Sequence, residues 1–386
     1  MRLFISAGEP SGDLHGGSLV QAVRRLAPHV EFTGFGGPHM AAAGCPLLYP
    51  LSTRAFMGIV PVLAHVPEFL GLLSWTDRYF ARQRPDAVVL IDYPAFHWWV
   101  ARRAHARGIP VFYFVPPQIW AWASWRVRNM RRWVDHVLCS LPFEVPWYAE
   151  RGVTAHYVGH PYFDELARQR PDPLFVAEQQ AQGKTIIGLL PGSRTQEVQR
   201  NLSTLVRTAG RIYAARPDAR FLVACYRPDH LQFVESYLRR KPPLPITAYV
   251  GKTPEIIHLA HSCVAVSGSV GLELLCQRKP TVVVYRVHAI EKRFVRWFVK
   301  CRYISLVNLL AGQELFPEYL SVSCQAAAIS QHILTWLNHP AVYQAQRQQL
   351  STLCHEVAVP GACERSAHYL LEQLGVALPD AARQAA

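Results

Sequence analysis

The run Leu189-Leu190-Pro191-Gly192-Ser193-Arg194, followed by Glu197, combines the residue types needed to hold a phosphate. An apolar strand expected over Thr185 to Leu190 breaks there into a polar, helix-forming stretch. A strand ending in Pro-Gly-Ser leaves backbone N–H groups at the mouth of the next helix, where partial positive charge favours an anion. Arg194 adds a fixed cation able to grip two phosphate oxygens at once. An ordinary strand-to-helix turn with a surface arginine has the same composition, because turns rich in Gly and Pro are common. A second run points the same way. Val264-Ala265-Val266 leads into Ser267-Gly268-Ser269-Val270-Gly271-Leu272-Glu273, then Pro280 and an apolar strand from Thr281 to Tyr285. Small residues let a ligand approach the backbone, and Ser267 and Ser269 offer hydroxyls to phosphate or sugar oxygens. Glu273 is placed to accept hydrogen bonds from a ribose, with a plain capped helix as the alternative. Two such turns in one half of a chain, one carrying an arginine, fit a nucleotide diphosphate.

The N-terminal half carries its own set. A strand from Met1 to Ser6 is broken by Ala7-Gly8-Glu9-Pro10-Ser11-Gly12-Asp13, and a second, Val30 to Gly34, runs into Gly34-Phe35-Gly36-Gly37-Pro38. The spacing Gly8, Gly12, Gly16, Gly17 is not the dinucleotide fingerprint, so NAD is not expected. A third strand, Ala87 to Ile91, is apolar throughout, as strands buried on both faces are, and ends at Asp92. Ligands of open parallel sheets bind at the carboxyl ends of strands, which places Asp92 where chemistry is expected. A helix N-cap would use the same residue type there.

Strand-turn-helix units of this kind run through both halves, which predicts an α/β protein, and no internal repeat or low-complexity linker interrupts them. Pro171-Asp172-Pro173 reads as a hinge, giving domains over 1–170 and 171–340. The remainder, 341–386, is expected to supply a C-terminal helix (Pro340 to Gly375) packed back on the first domain, then a frayed Ala-rich tail. A chain of 386 residues is long enough for two such cores. Nine scattered cysteines without a C-x-x-C pair argue for reduced thiols and against structural zinc. No Asp-x-Asp occurs, so a divalent cation is not implied and no cofactor is expected. No apolar run reaches the ~18 residues of a spanning helix, and the N-terminus enters a strand directly, so secretion is not expected.

The formal net charge of +13 calls for an anionic partner. Two segments favour lipid. Ala55 to Trp75 is rich in Phe, Met, Leu, Val and Trp, as a core helix would also be. Glu291 to Arg302 spaces Lys292, Arg293, Arg296 and Lys300 at helical intervals, with Phe294, Val295, Phe298 and Val299 elsewhere on the wheel, the pattern of a helix lying in a membrane interface. A docking helix with a solvated face is the alternative. The Trp120 to Trp133 stretch is aromatic and basic, but no nucleic-acid motif accompanies it, so nucleic acid is not expected as a partner.

In order along the chain, these segments resemble the lipid-A-disaccharide synthase family. The resemblance rests on Ser6 to Asp13, Met57-Gly58-Ile59-Val60, Ile91-Asp92-Tyr93-Pro94-Ala95-Phe96 and Pro117-Gln118-Ile119-Trp120-Ala121-Trp122. It continues through Leu141-Pro142-Phe143-Glu144, Val158-Gly159-His160-Pro161, Leu190 to Arg194, Ser267-Gly268-Ser269, Pro280 to Arg286 and Tyr303 to Gly312, thinning after about Leu320. No single motif is decisive; the ordered set is specific.

The resemblance implies two Rossmann-like domains of the glycosyltransferase-B type facing across a cleft. It implies an inverting hexosyltransferase that joins UDP-2,3-diacylglucosamine to 2,3-diacylglucosamine 1-phosphate, giving the β-1,6 lipid A disaccharide 1-phosphate and UDP. Asp92 is then the candidate base. The donor side would use Gly192, Ser193, Arg194, Glu197, Ser267, Gly268, Ser269, Glu273 and Asn308. The acceptor side would use Gly8, Glu9, Ser11, Gly12, Asp13, Met57, Gly58, His97, Gln118 and Trp120. Membrane contact would fall to Arg293, Arg296, Trp297 and Lys300, on the anionic cytoplasmic face of the inner membrane, with a homodimer left open. Several departures touch the acceptor side. Pro61 replaces a usual glutamate, Ala95 and His97 stand where the family carries Asp and Asn, and Ala123-Ser124-Trp125 precede Arg126. A relative acting on another nucleotide sugar, or a non-enzymatic lipid binder, would account for these changes.

Overall fold

The computed structural model describes residues 1–54, 66–288 and 301–376. The chain forms two compact units, Met1–Asp164 with Val359–Ala386, and Glu165–Ala358. Each is an open, parallel sheet wrapped by helices.

The first sheet has the order β3-β2-β1-β4-β5-β6-β7. Its strands are β1 (Arg2–Ala7), β2 (Glu31–Phe35), β3 (Leu47–Tyr49), β4 (Ala87–Ile91), β5 (Val111–Phe114), β6 (His136–Cys139) and β7 (Ala155–Tyr157). β4 reads Ala-Val-Val-Leu-Ile and is buried at every position, because helices cover both faces of a parallel sheet. The strand order reverses between β1 and β4, which pair in register with Ala7 opposite Ile91. That reversal opens a crevice at the carboxyl edge, where ligands of such sheets sit.

The second sheet repeats the plan as β10-β9-β8-β11-β12-β13. Here β8 is Thr185–Leu190, β9 Ala219–Cys225, β10 Ile246–Val250, β11 Ser262–Val266, β12 Thr281–Arg286 and β13 Glu318–Ser321. Its order reverses between β8 and β11, with Leu190 opposite Ala265. The Pro-Gly-Ser-Arg and Ser-Gly-Ser turns therefore leave adjacent strands on one edge.

The C-terminal helix expected from Pro340 to Gly375 is two helices, Pro340–Val357 and Ala362–Gln373. Pro360 cannot donate to a helix and Gly361 has φ +96°, so the chain turns there. The earlier helix belongs to the second unit and the later one to the first. Cys363, Ala367, Leu370 and Leu371 join Leu3, Ile5 and Leu19 in the first unit's core. The Asp164 carboxylate fixes the start of this last helix by accepting from the backbone N–H groups of Gly361, Ala362 and Cys363.

Candidate functional site

At the first unit's crevice, Asp92 and Tyr93 end β4 in consecutive left-handed conformations, both at φ +49°. Bulky residues rarely enter that region, and something must hold them there. The N-cap of the Pro94–His105 helix is Tyr93 rather than Asp92, so the capping alternative for Asp92 does not describe this turn. The Tyr93 ring lies on Gly8, where any added methyl group would collide with it. Burial, followed by the charge of Glu9, pushes the Tyr93 hydroxyl pKa up. The turn after β1 and the turn after β4 thus touch, with Glu9 half-buried and Ser11 exposed.

Other acceptor-side expectations are placed differently. The Asp13 carboxylate is buried and accepts from the backbone N–H groups of Gly37 (2.7 Å), His39 (3.0 Å) and Met40 (3.1 Å). It caps the Pro38–Ala42 helix, so its oxygens are occupied by the fold. Gly12 packs against Ala7 and Ile91. His97 is fully buried, one ring nitrogen 2.8 Å from Ser6 Oγ and the other 2.7 Å from the Asp92 carbonyl oxygen. Burial lowers its pKa to about 4, against a smaller opposing effect of the Asp92 carbonyl. It is a neutral interior residue and does not present a face to substrate. Gln118 is exposed. Trp120 is buried, and its indole N–H donates to Glu144 Oε1 at 2.9 Å. Glu144, fully buried, also accepts from the N–H groups of Ser140 and Leu141. Burial pushes its carboxyl up to about 7 while these three donors pull it down. Met57 and Gly58, like Pro61, lie outside the described residues, as do Arg293, Arg296, Trp297 and Lys300.

At the second unit's crevice, Gly192 takes φ +115°, and Arg194 is the N-cap of the Thr195–Ala215 helix. Glu197 closes the mouth of that helix. Its Oε2 accepts from the N–H groups of Ser193 (3.2 Å) and Arg194 (3.3 Å), while Oε1 pairs with Arg194 Nη1 at 3.0 Å. Two N–H groups expected to greet a phosphate are therefore held by a carboxylate of the chain itself, and Glu197 serves as the cap. The Arg194 side chain stays 56% exposed.

A second arginine, not singled out from sequence, stands on the neighbouring strand end. Arg227 follows β9 and donates to Thr195 Oγ1 at 2.6 Å, on the first residue of the same helix. Its signal was a charged residue just past an apolar strand, the same signal that marked Asp92. On the β11 edge Gly268 and Ser269 are exposed, and a side chain at Gly268 would meet open space. Ser267 Oγ donates to the Ile304 carbonyl. Glu273 is buried in the helix that follows.

Asn308 is tied into the fold. It is fully buried, donates through Nδ2 to Phe316 O and Glu318 Oε1, and accepts through Oδ1 from the N–H groups of Leu315 and Phe316. All four amide hydrogen bonds are spent on its own loop. No group of three or more His, Cys, Asp or Glu able to hold a metal occurs among the described residues. No described helix is long and apolar enough to cross a membrane.

Known structures share this architecture. A Staphylococcus aureus MnaA–UDP co-structure superimposes with a TM-score of 0.69 at 10% identity, covering 97% of both chains. The calicheamicin glycosyltransferase CalG4 does so at 0.62 and 13%, covering 97% of this chain and 98% of that one. Fold and crevices together define the class, a two-domain α/β protein of the glycosyltransferase-B type.

The sequence relatives are more specific. The family model described as lipid-A-disaccharide synthetase matches residues 3–372. The lipid-A-disaccharide synthase of Myxococcus xanthus is 35% identical over 376 residues, 97% of each chain. That of Anaeromyxobacter dehalogenans strain 2CP-C is 34% identical over 370 residues, 96% of this chain and 97% of the relative. The chain belongs to the lipid-A-disaccharide synthase family, the hexosyltransferases of lipid A biosynthesis.

Proposed function

We propose that this enzyme transfers 2,3-diacylglucosamine from UDP to the 6-hydroxyl of 2,3-diacylglucosamine 1-phosphate. The acceptor oxygen forms a bond to C1 of the donor sugar as the C1–O bond to UDP breaks. UDP leaves with the bonding pair, the anomeric centre inverts, and the acceptor proton passes to the Asp92 carboxylate. An inverting displacement needs one base and a positive seat for the leaving diphosphate. Arg194 and Arg227 supply charge for that seat, and the Gly268–Ser269 turn supplies an open backbone.

The observation that carries this reading is the position of Asp92, a carboxylate at the switch point of the first sheet, in a left-handed turn that continues through Tyr93. Its test is mass-spectrometric detection of a disaccharide 1-phosphate when purified protein meets both lipid substrates. Turnover of the UDP-sugar without acceptor would instead make the chain an epimerase-like relative, and binding of both lipids without product would make it a lipid binder.

The net charge of +13 and the basic-aromatic segment from Glu291 to Arg302 support association with the anionic cytoplasmic face of the inner membrane. Basic side chains near anionic headgroups contribute roughly 1 kcal/mol each. Reversing Arg293, Arg296 and Lys300 to glutamate is expected to weaken binding to phosphatidylglycerol-containing vesicles, most at low salt. Undiminished vesicle binding by that variant would remove the segment as the anchor.

A further inference from the structure

We infer that Ser6, His97 and Tyr113 act as one positioning set that fixes the backbone of Asp92 for proton transfer, an inference resting on Asp92 as the base. The Asp92 carbonyl oxygen accepts from His97 Nδ1 at 2.7 Å and from the Tyr113 hydroxyl at 2.7 Å. A carbonyl can only accept, so Nδ1 carries the proton of the neutral ring. His97 Nε2 is then the acceptor, and the Ser6 hydroxyl, 2.8 Å away, donates to it. Ser6, His97 and Tyr113 are all fully buried, on β1, on the Pro94–His105 helix and on β5. Two elements thus donate to one backbone carbonyl, and β1 supports the first of them through Ser6.

That carbonyl belongs to the first of two consecutive non-glycine residues in the left-handed region. Aspartate enters that region more readily than most residues but tyrosine does not, so surrounding bonds must hold the consecutive pair. With the carbonyl anchored from beneath, the Asp92 Cα and the root of its carboxylate are fixed at the sheet edge. His97 itself is excluded as the base, because its one accepting nitrogen is already engaged with Ser6 in the interior. An asparagine amide at this position could also donate to that carbonyl. The histidine donates to the Asp92 carbonyl and also reaches Ser6.

The test is steady-state transfer with UDP-2,3-diacylglucosamine and 2,3-diacylglucosamine 1-phosphate. Tyr113→Phe is isosteric and removes one donor; His97→Phe removes the other. Each is expected to lower kcat, by up to about 10²-fold for a misplaced group, with donor KM and UDP affinity unchanged. His97→Asn is expected to recover most of the rate lost in His97→Phe. In an Asp92→Asn background neither Phe substitution should cost more than about twofold further, because groups acting as a unit are not additive. Equal losses in both backgrounds would mark a general role in the fold and overturn the inference. So would an inactive Asp92→Asn beside fully active Tyr113→Phe and His97→Phe. A fully active Asp92→Asn would remove the base itself, and the positioning role with it, a pattern distinct from the other two. Should His97→Phe fail to fold, Tyr113→Phe carries the comparison alone, with its melting temperature as control.

Discussion

At the scale of single residues, the sharpest expectation concerns Asp92. Asparagine is nearly isosteric, tolerates the left-handed region and leaves the backbone carbonyl in place for His97 and Tyr113. Asp92→Asn is therefore expected to retain thermal stability and UDP affinity. It should lose about 10²–10⁴-fold in transfer rate, the usual cost of removing a general base. A single-turnover assay with both lipids checks this, and survival of full activity would relieve Asp92 of the role. The importance of this position was readable in the sequence, because an aspartate ending an all-apolar strand stands at a sheet edge. Its partners were not readable. Ser6 and Tyr113 lie 86 and 21 positions from Asp92 in sequence, and only the pairing of β1 with β4 and of β4 with β5 brings them together. Asn308 is the opposite case: only the resemblance pointed to it, and its side-chain hydrogen bonds, which no local pattern announces, go to the loop from 315 to 318.

At the scale of elements, the mouth of the Thr195–Ala215 helix holds an internal competition. Its dipole and N–H groups favour a diphosphate, but the Glu197 carboxylate already sits on the N–H groups of Ser193 and Arg194. Glutamate three residues after an N-cap is a known closing device, and the spacing from Arg194 to Glu197 was present in the sequence. With arginine rather than serine or threonine at the N-cap, the pattern does not stand out in the sequence. Glu197→Gln retains an acceptor for the two N–H groups while removing a negative charge. Glu197 is buried but the Arg194 end of the pair is 56% exposed, so solvent screens the ion pair, which contributes about 0–1 kcal/mol, and stability should change little. Calorimetry with UDP is expected to show tighter binding in Glu197→Gln. In Arg194→Ala the loss of a charged hydrogen bond should weaken binding by about 1.5–3 kcal/mol. Weaker binding in Glu197→Gln would make the carboxylate a ligand group rather than a competitor. The other misplaced element, the C-terminal helix, carried its own warning in Pro360-Gly361, a pair that cannot continue a helix.

At the scale of the whole molecule, buried histidines tie folding to pH, and they are unevenly shared. In the first unit burial holds His15 down at about 3 and His97 and His160 at about 4, with His160 adding to the effect at His15. Among the described residues of the second unit, His261 alone is held as low as about 4, again chiefly by burial. An unfolded histidine titrates near 6.5, so these folded values are depressed and the unfolded chain binds more protons below that pH. The associated stability is fully present above about pH 6.5 and is lost as pH falls toward 4. Each histidine can contribute up to about 1.4 kcal/mol per pH unit within that window. The first unit is therefore expected to fail first on acidification. Eight of the ten tryptophans lie in Met1–Asp164, so tryptophan emission reports mainly on that unit. Its thermal midpoint should fall steeply between pH 6.5 and 4.5, while amide exchange in β8, β9 and β11 remains protected to lower pH. His160→Gln, which removes one of the two facing rings, should flatten the slope. Emission midpoints that stay level across this range, or exchange that opens both sheets together, would show that these histidines do not govern acid unfolding.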